Sequence, residues 1–387
     1  MRGFGWITAA LTLVAAVAAP RQAAADTMDP ALARFVTDGS CRAPGANGGL
    51  YYNPTSGFNR CGTNDPAFAK LMAEWGFALG PTAMHPARTT GYGGFDLAFE
   101  GAFTKISSDA NVNDPEKNYW NLGTQGKQDP NNKLFSTINT GPDDFVQLYA
   151  MKTRYGFSPL ALPLGMLGFE LGTKIGFMGN SNLGVLGADI RISLLEGFRS
   201  GWPAILPDLT AAGSVTTITG TSEFQLTVAA ADGMISKPIP IGGTVIVLPY
   251  AGYSWTYTFA DSGLIDLTPN TDALNYCGYA GGNTTATPDA NKTYRDGQPV
   301  CNNGTSADFN NTVVFNNVRL QRHRIAAGLQ FRFQMVRIGA HFATDIMTAA
   351  EANKDTNWVD ATTGEKTNKF QGVPKQYTMA FDFGLVL

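Results

Sequence analysis

The sequence predicts an all-β protein: an antiparallel transmembrane β-barrel of about ten strands, preceded by a short N-terminal helical segment. Three observations support this fold class. The final stretch alternates apolar with small or polar residues, an apolar run near the N-terminus precedes a small-residue cleavage site, and the chain combines 44 Gly and 24 Phe with only 15% charged residues. Such a composition arises when every lipid-facing residue of a strand is matched by a lumen-facing one.

Residues 375–387 carry the clearest strand pattern. One face holds Tyr377, Met379, Phe381, Phe383, Leu385 and Leu387, and the other holds Thr378, Ala380, Asp382 and Gly384. This is the period of two that a strand requires, and a charged residue on the second face suits a wall between lipid and a polar lumen.

This last strand resembles the C-terminal assembly signal of bacterial outer-membrane β-barrel proteins. That family usually ends in Phe or Trp, whereas this chain ends in Leu387. The resemblance implies location in the outer membrane. It also implies that the partners are outer-membrane lipid, lipopolysaccharide, and the barrel-assembly and periplasmic chaperone machinery. It implies no substrate.

Residues 1–25 read as a secretory signal peptide. Arg2 precedes an apolar run from Ile7 to Ala19, and Ala23 to Ala25 suit a signal peptidase, so the mature chain is expected to start near Asp26. The run is too short to span a bilayer, and no later stretch approaches the ~18 apolar residues of a membrane helix.

Residues 26–88 form a separate N-terminal segment. Asp29-Pro30 and Asp65-Pro66 each look like a helix N-cap followed by proline, so two short helices are predicted at 31–36 and 68–77. A helix as short as the second needs packing partners. The segment therefore either plugs the barrel lumen or lies at its periplasmic rim.

The barrel is predicted to occupy residues 89–387. Ten strands follow from the alternation, at 91–105, 144–156, 165–178, 183–199, 208–219, 222–237, 243–260, 318–333, 335–346 and 375–387. In the sixth strand, Phe224, Leu226 and Val228 are assigned to the lipid face. The long polar connections 106–143, 261–311 and 347–374 all fall at one end, as expected of outer loops. The same pattern accommodates between about eight and twelve strands.

Four cysteines in an exported chain predict disulfides. Cys41 is paired with Cys61 and Cys277 with Cys301, because each pair lies within one loop-like segment. The other two connectivities would join segments far apart in the sequence.

The inward face of the predicted strands is rich in charge. Its acidic members are Asp96, Glu100, Glu170, Asp189, Asp345 and Asp382, and its basic members are Lys152, Arg154, Lys174, Arg191, Arg322, Arg324, Arg332 and Arg337. Charges this close in a narrow barrel are expected to pair and fill the lumen. A water-filled selective path is the alternative.

Catalysis and cofactor binding find little support in the sequence. The chain has only three histidines, and His341 and Asp345 lie about 13 Å apart along one strand, too far for a direct bond. No nucleophile motif, metal-ligand spacing or basic stripe for nucleic acid is present. We therefore expect no enzyme activity, cofactor, metal or nucleic-acid partner.

Two functions are favoured, and the sequence names no solute for either; an outer-membrane enzyme is the third and weakest alternative. The favoured one is a narrow pore or structural barrel with exposed outer loops. The alternative is a plugged transporter of hydrophobic substrates similar to the fatty-acid transporter family, in which residues 68–77 act as a hatch; that family has more strands. A secreted soluble β-sandwich is the competing fold.

Overall fold

The computed structural model describes 27–36, 50–53, 57–60, 62–80, 85–108, 117–126, 128–129, 132–136, 139–162, 165–196, 205–266, 277–279, 299–301, 312–354, 357–359 and 366–387. The predicted signal peptide at 1–25 lies outside these residues, as do Cys41 and Cys61.

Ten long strands form one closed antiparallel barrel. They are β1 (Phe95–Lys105), β2 (Phe145–Leu162), β3 (Gly165–Met178), β4 (Gly184–Glu196), β5 (Asp208–Thr219), β6 (Phe224–Ser236), β7 (Val245–Ser262), β8 (Val318–Phe333), β9 (Val336–Asp345) and β10 (Tyr377–Val386). Each strand pairs with its sequence neighbours, and β10 closes the ring by pairing with β1. The predicted all-β barrel of ten strands is therefore confirmed.

The outer surface of the barrel is apolar. Along β10 the side chains of Phe381 and Phe383 are 57% and 51% exposed, whereas Asp382 between them is buried. The same alternation brings Phe331 on β8 and Ile338 on β9 to the outer surface. No second sheet packs over this face in the described chain, so the soluble β-sandwich is wrong. The architecture is that of a bacterial outer-membrane β-barrel protein, as the C-terminal strand implied.

The two ends of the barrel differ in their connections. The connections 106–144, 263–317 and 346–376 all leave the same end, which we call the loop end. At the opposite turn end, β8 and β9 are joined by Gln334 and Met335 alone. Gln334 adopts a positive φ of 51°, and this tight turn accounts for the change of parity between Phe333 and Val336.

A short strand, Ile239–Ile241, extends the turn end by pairing with Val245 to Val247 of β7. The Lys237 amide donates to the Pro249 carbonyl at 3.2 Å, which continues the pairing of β6 with β7. By the alternation of antiparallel pairs, Pro238 and Pro240 then point their backbone away from β7. Because proline has no N–H, this free edge offers no amide to another strand.

The helices are short, and one of them is longer than predicted. A 3-10 turn covers Leu32–Arg34, and the helices are α1 (Asp65–Leu79), α2 (Tyr119–Gly123) and α3 (Ala349–Ala352). The N-cap of α1 is Asn64, whose side chain accepts from the Ala67 amide at 3.1 Å, so Asp65 is inside the helix rather than capping it. Asp29 likewise caps no helix and instead accepts bonds from Ser181 and Asn182.

Further two-stranded hairpins lie between the barrel strands and in the N-terminal segment. They pair Leu50–Asn53 with Gly57–Arg60, Gln128–Asp129 with Asn132–Ser136, Ile265–Asp266 with Thr312–Val313, Cys277–Tyr279 with Pro299–Cys301, and Asn357–Val359 with Lys366–Asn368. None of the helices in the described part of the chain has both the length and the apolar character needed to cross a bilayer.

Described residues of the N-terminal segment contact both ends of the barrel. At the loop end, the Met28 amide donates to the Asn180 carbonyl at 2.9 Å. Helix α1 is buried inside the ring and touches strands on several sides of it. At the turn end, the Gly93 amide donates to the Gly156 carbonyl at 2.9 Å, just before β1 begins.

A lipid-facing charge should destabilise this barrel strongly. We expect Phe381→Arg, at the middle of β10, to lower the free energy of unfolding by ~2–4 kcal/mol, because the guanidinium would lie near the bilayer midplane. The measurement is guanidinium unfolding of protein folded into liposomes, read out by heat-modifiable gel mobility.

The matched control for that substitution is Tyr92→Arg. Tyr92 is 76% exposed just before β1 at the turn end, where an arginine should cost less than ~1 kcal/mol. Equal losses for the two variants would contradict a membrane belt centred on the strands.

Candidate functional site

The lumen is the candidate functional site, because the predicted charged residues converge there. The structure places all fourteen on the inward-facing side of the wall. Asp189 and Arg332 are half-buried and the other twelve are buried. They line the middle and the turn end of the barrel, and most of them form ion pairs.

Near the turn end, Arg337 lies between two aspartates. Its Nε and Nη2 reach the two carboxylate oxygens of Asp96 at 2.8 and 2.9 Å, and its Nη1 pairs with Asp382. The three residues come from β9, β1 and β10, which are neighbours in the ring. A guanidinium that bridges two carboxylates holds these strands in fixed positions.

Two glutamates are each shared by two cations. Glu100 pairs with Lys152 and, at 3.5 Å, with Lys174. Glu170 lies 3.4 Å from Arg191 and 3.7 Å from Arg154. Because a buried charge without a counter-charge is costly, these shared carboxylates let four cations stay in the lumen.

The N-terminal segment supplies further partners for this charged layer. Arg191 donates through Nη2 to the carbonyl oxygens of His85 and Pro86 at 3.1 and 3.3 Å. The Thr90 amide donates to Glu170 and the Thr89 amide to Glu196, both at 2.9 Å. The charged wall thus binds the backbone of residues 85–90 and fixes it along the lumen.

Arg322 and Arg324 face the end of α1. Arg322 pairs with Asp345 at 2.5 Å, and both guanidinium groups lie over the Phe77 ring, at 5.2 and 4.1 Å from its centroid. The nitrogens of Arg324 have no hydrogen-bond partner among the described residues, so the aromatic face is its main contact with the helix.

Towards the loop end the lumen changes from charged to apolar. Helix α1 contributes Leu71, Met72 and Trp75 to a buried cluster, and Trp75 stacks on Phe224 with ring centroids 5.0 Å apart. The wall side of this apolar layer consists of Val146, Leu148, Val185, Ile218, Phe224, Leu226, Val228, Val318 and Leu320.

The assignment of Phe224, Leu226 and Val228 to the lipid face was wrong. All three are buried in the lumen against α1, and the residues that face outward on β6 include Gln225 and Ala231. Barrel strands usually place apolar residues outward and polar residues inward. On β6 the apolar residues face inward, because the lumen here is filled by an apolar helix rather than by water.

Glu74 ties α1 to the first long connection. Its fully buried carboxylate accepts bonds from the Ser107 amide at 2.9 Å and hydroxyl at 2.6 Å, from the Tyr119 hydroxyl at 2.8 Å, and from the Trp120 indole at 2.6 Å. Burial and the nearby Glu74 charge raise the pKa of Tyr119, so its hydroxyl keeps the proton that it donates. Four donors satisfy the carboxylate and make it a structural anchor.

Tyr250 and His341 form a buried pair that the sequence did not indicate. Tyr250 is only 5% exposed and stacks on His341 with ring centroids 5.9 Å apart. A Cβ at Gly328 would overlap the Tyr250 ring, so a glycine on the neighbouring strand makes room for it. Tyr250 has the same parity as the buried residues of β7, and this parity is the sequence signal that indicates its burial.

Little space remains in the lumen. One cavity of about 50 Å³ lies between β2 and β6 and is lined by Lys152, Lys174 and Asp189, among others. A second of about 50 Å³ lies at the turn end beside Arg332. His85 and Arg154 line both. Each cavity has room for a few water molecules. Among the described residues, no group of three or more His, Cys, Asp or Glu is placed to hold a metal ion.

Comparison with known proteins identifies no family. No family model and no curated protein matches the sequence. Among solved structures, Ail, the attachment invasion locus protein of Yersinia pestis, is 12% identical with a TM-score of 0.22, over 76% of this chain and 99% of that chain. Neisserial surface protein A is 9% identical with a TM-score of 0.23, over 76% and 98%. LpxR from Salmonella typhimurium is 10% identical with a TM-score of 0.26, over 75% and 99%. At these TM-scores the likeness carries no argument about what this chain does.

Loss of the Glu74 carboxylate should loosen the loop end without opening the barrel. We expect Glu74→Ala to lower the local stability of α1 and α2 by ~2–4 kcal/mol, because the buried donors of Ser107, Tyr119 and Trp120 lose their acceptor. Limited proteolysis in detergent should then cleave the 106–144 connection faster, while heat-modifiable mobility persists.

Glu351→Ala is the matched control for that variant. Glu351 is exposed and belongs to the capping box of α3 with Thr348, so its loss should affect α3 alone. Unchanged proteolysis of Glu74→Ala would rule out the anchoring role.

Proposed function

We propose that this chain is a structural barrel of the outer membrane that forms no open pore, because its own N-terminal segment closes the lumen. The observation that carries the proposal is the position of residues 65–80 and 85–90, which lie inside the ring between the loop end and the turn end. Of the two forms that the sequence favoured, a narrow pore and a structural barrel, the second agrees better with this position.

Both layers of the lumen support a closed barrel. The apolar layer packs α1 against the wall, and the cavity beside Trp75 has a volume of only about 10 Å³, which holds at most about one water molecule. In the charged layer, cations and carboxylates are joined in ion pairs and to the backbone of 85–90. Ions would have to displace this paired network to pass.

Location in the outer membrane is part of the proposal. It is supported by the apolar outer surface, by the large connections at one end, and by the lipid-facing side chains of the last strand. These side chains are Tyr377, Met379, Phe381, Phe383, Leu385 and Leu387, the residues that we assign to the assembly signal. Export by residues 1–25, insertion by the barrel-assembly and chaperone machinery, and contact with lipopolysaccharide follow from the same assignment.

The proposed role includes no catalysis. His85, His323 and His341 lie in three different surroundings: inside the lumen segment, on the outer surface with the Tyr253 hydroxyl at 2.5 Å, and against Tyr250. None of them forms a base-and-nucleophile set with a Ser or Cys in the described residues, and such a set is what hydrolysis requires.

Single-channel recording in planar bilayers tests the closed barrel. We expect the native protein to give negligible conductance, because the plug and its ion pairs fill the lumen. A variant lacking residues 27–80 should conduct if it still shows heat-modifiable mobility. Regular open steps from the native protein would contradict the proposal, whatever the deletion variant does.

The apolar layer around α1 favours one alternative, a transporter of hydrophobic substrates in which the helix moves aside. A tether distinguishes the two functions. A Cβ built on Gly76 lies 3.2 Å from the Thr258 Cβ, close to the spacing that a disulfide needs. In the double variant Gly76→Cys/Thr258→Cys, oxidation should leave a structural barrel unchanged. Uptake of an apolar fluorescent substrate that is lost on oxidation and restored by reduction would support the transporter.

We also expect a disulfide between Cys277 and Cys301. The backbone register of their short hairpin places the two residues directly opposite each other, which is a favourable arrangement for a cross-strand bond. Closing the ~25-residue loop between them should lower the conformational entropy of the unfolded loop and so stabilise the folded loop by roughly 3–4 kcal/mol.

Mass spectrometry of the non-reduced protein checks this pairing. Replacing both cysteines by Ser should make residues 267–311 more sensitive to protease and leave heat-modifiable mobility intact. Free thiols at both positions, or a bond from either one to Cys41 or Cys61, would contradict the pairing.

A further inference from the structure

The turn end of the lumen contains a cavity that the closed-barrel function does not use. This turn-end vestibule has a volume of about 50 Å³ and is lined by His85, Arg88, Arg154, Arg332, Asp96 and Glu170, among others. It lies beneath the charged layer, on the side of the barrel formed by β8, β10, β1 and β2.

The charges facing the vestibule favour an anion. Three arginines line it against two carboxylates, and both carboxylates are already engaged. Asp96 accepts a hydrogen bond from the Arg337 Nη2 and lies 2.8 Å from its Nε. Glu170 accepts from the Thr90 amide and lies within 4 Å of Arg191 and Arg154. Neither carboxylate is therefore a dedicated partner for Arg332.

Besides Arg154, the arginines of the lining are Arg88 and Arg332. Arg332 is half-buried on the inward face of β8, and its Nε donates to the Gln334 carbonyl at 3.1 Å. It forms no ion pair within the described part of the chain. A guanidinium presents its donors as a planar fork that matches the oxygens of an oxyanion.

One buried donor points to an occupant independently of the charge. The Arg154 Nε has no hydrogen-bond partner among the described residues, although Arg154 is only 7% exposed and lines the vestibule. Buried donors in native proteins are normally satisfied, so an unpartnered one beside a cavity indicates a bound group.

We propose that the turn-end vestibule binds a small inorganic oxyanion such as phosphate. Arg332 and Arg88 supply charge from the open side, and the Arg154 Nε donates from the buried side. This site goes beyond the closed-barrel function, because binding at the mouth requires no passage through the lumen.

Isothermal titration tests the site on the full-length protein folded in detergent. Sodium phosphate is the probe, with sodium chloride of equal ionic strength as the reference. We expect saturable binding of about one phosphate, weakened about tenfold or more in Arg332→Gln, because a charge-assisted bond is lost. Arg88→Gln provides a second variant in case Arg332→Gln fails to show heat-modifiable mobility.

Arg319→Gln is the matched control. Arg319 is also a partly exposed arginine of β8, but it lies at the loop end and pairs with Asp261 at 2.8 Å. Its loss should leave phosphate affinity within about twofold of native. Absence of saturable binding to the native protein, native affinity in both vestibule variants, or an equal loss in the Arg319 control would each overturn the proposal.

Discussion

The structure depends on one constraint: a closed sheet has an inner face that bulk water does not reach, so each charge placed there needs a counter-charge or a hydrogen-bond partner. Glu100, shared by Lys152 and Lys174, and Arg337, held between Asp96 and Asp382, meet this need across neighbouring strands. Removal of one member of such a set leaves a buried charge without its partner, and that is far more costly than the absence of the whole set.

The same constraint explains why the lumen has two layers. Where α1 presents mainly apolar side chains, apolar wall residues such as Phe224 and Leu226 pack against it. Where residues 85–90 present backbone amides and carbonyls, charged and hydroxyl groups of the wall form hydrogen bonds with them. The character of the filling therefore sets the character of the wall at each level. Glu74 is a buried charge within the apolar layer, and four bonds satisfy it.

Much of the wall could be predicted from the sequence, because alternation with a period of two is a local property. The ten strands and the inward position of residues such as Arg154 and Asp382 follow from parity alone. Parity gave the wrong side for Phe224, because both the lipid outside and this level of the lumen are apolar environments. The neighbour that decides between them, Trp75, lies about 150 residues earlier in the chain. The partners of Glu74 could not be predicted for the same reason, since no local pattern records which loop will return to a helix.

The position of the N-terminal segment has a consequence for the order of assembly. The seam between β1 and β10 joins Phe95 to Leu387 through two backbone bonds, and these are the most distant partners in the ring. Once that seam forms, residues 65–80 and 85–90 are enclosed by the ring. We therefore expect them to pack against the open sheet before β10 pairs with β1, so that the last and most non-local pairing encloses the residues that fill the interior.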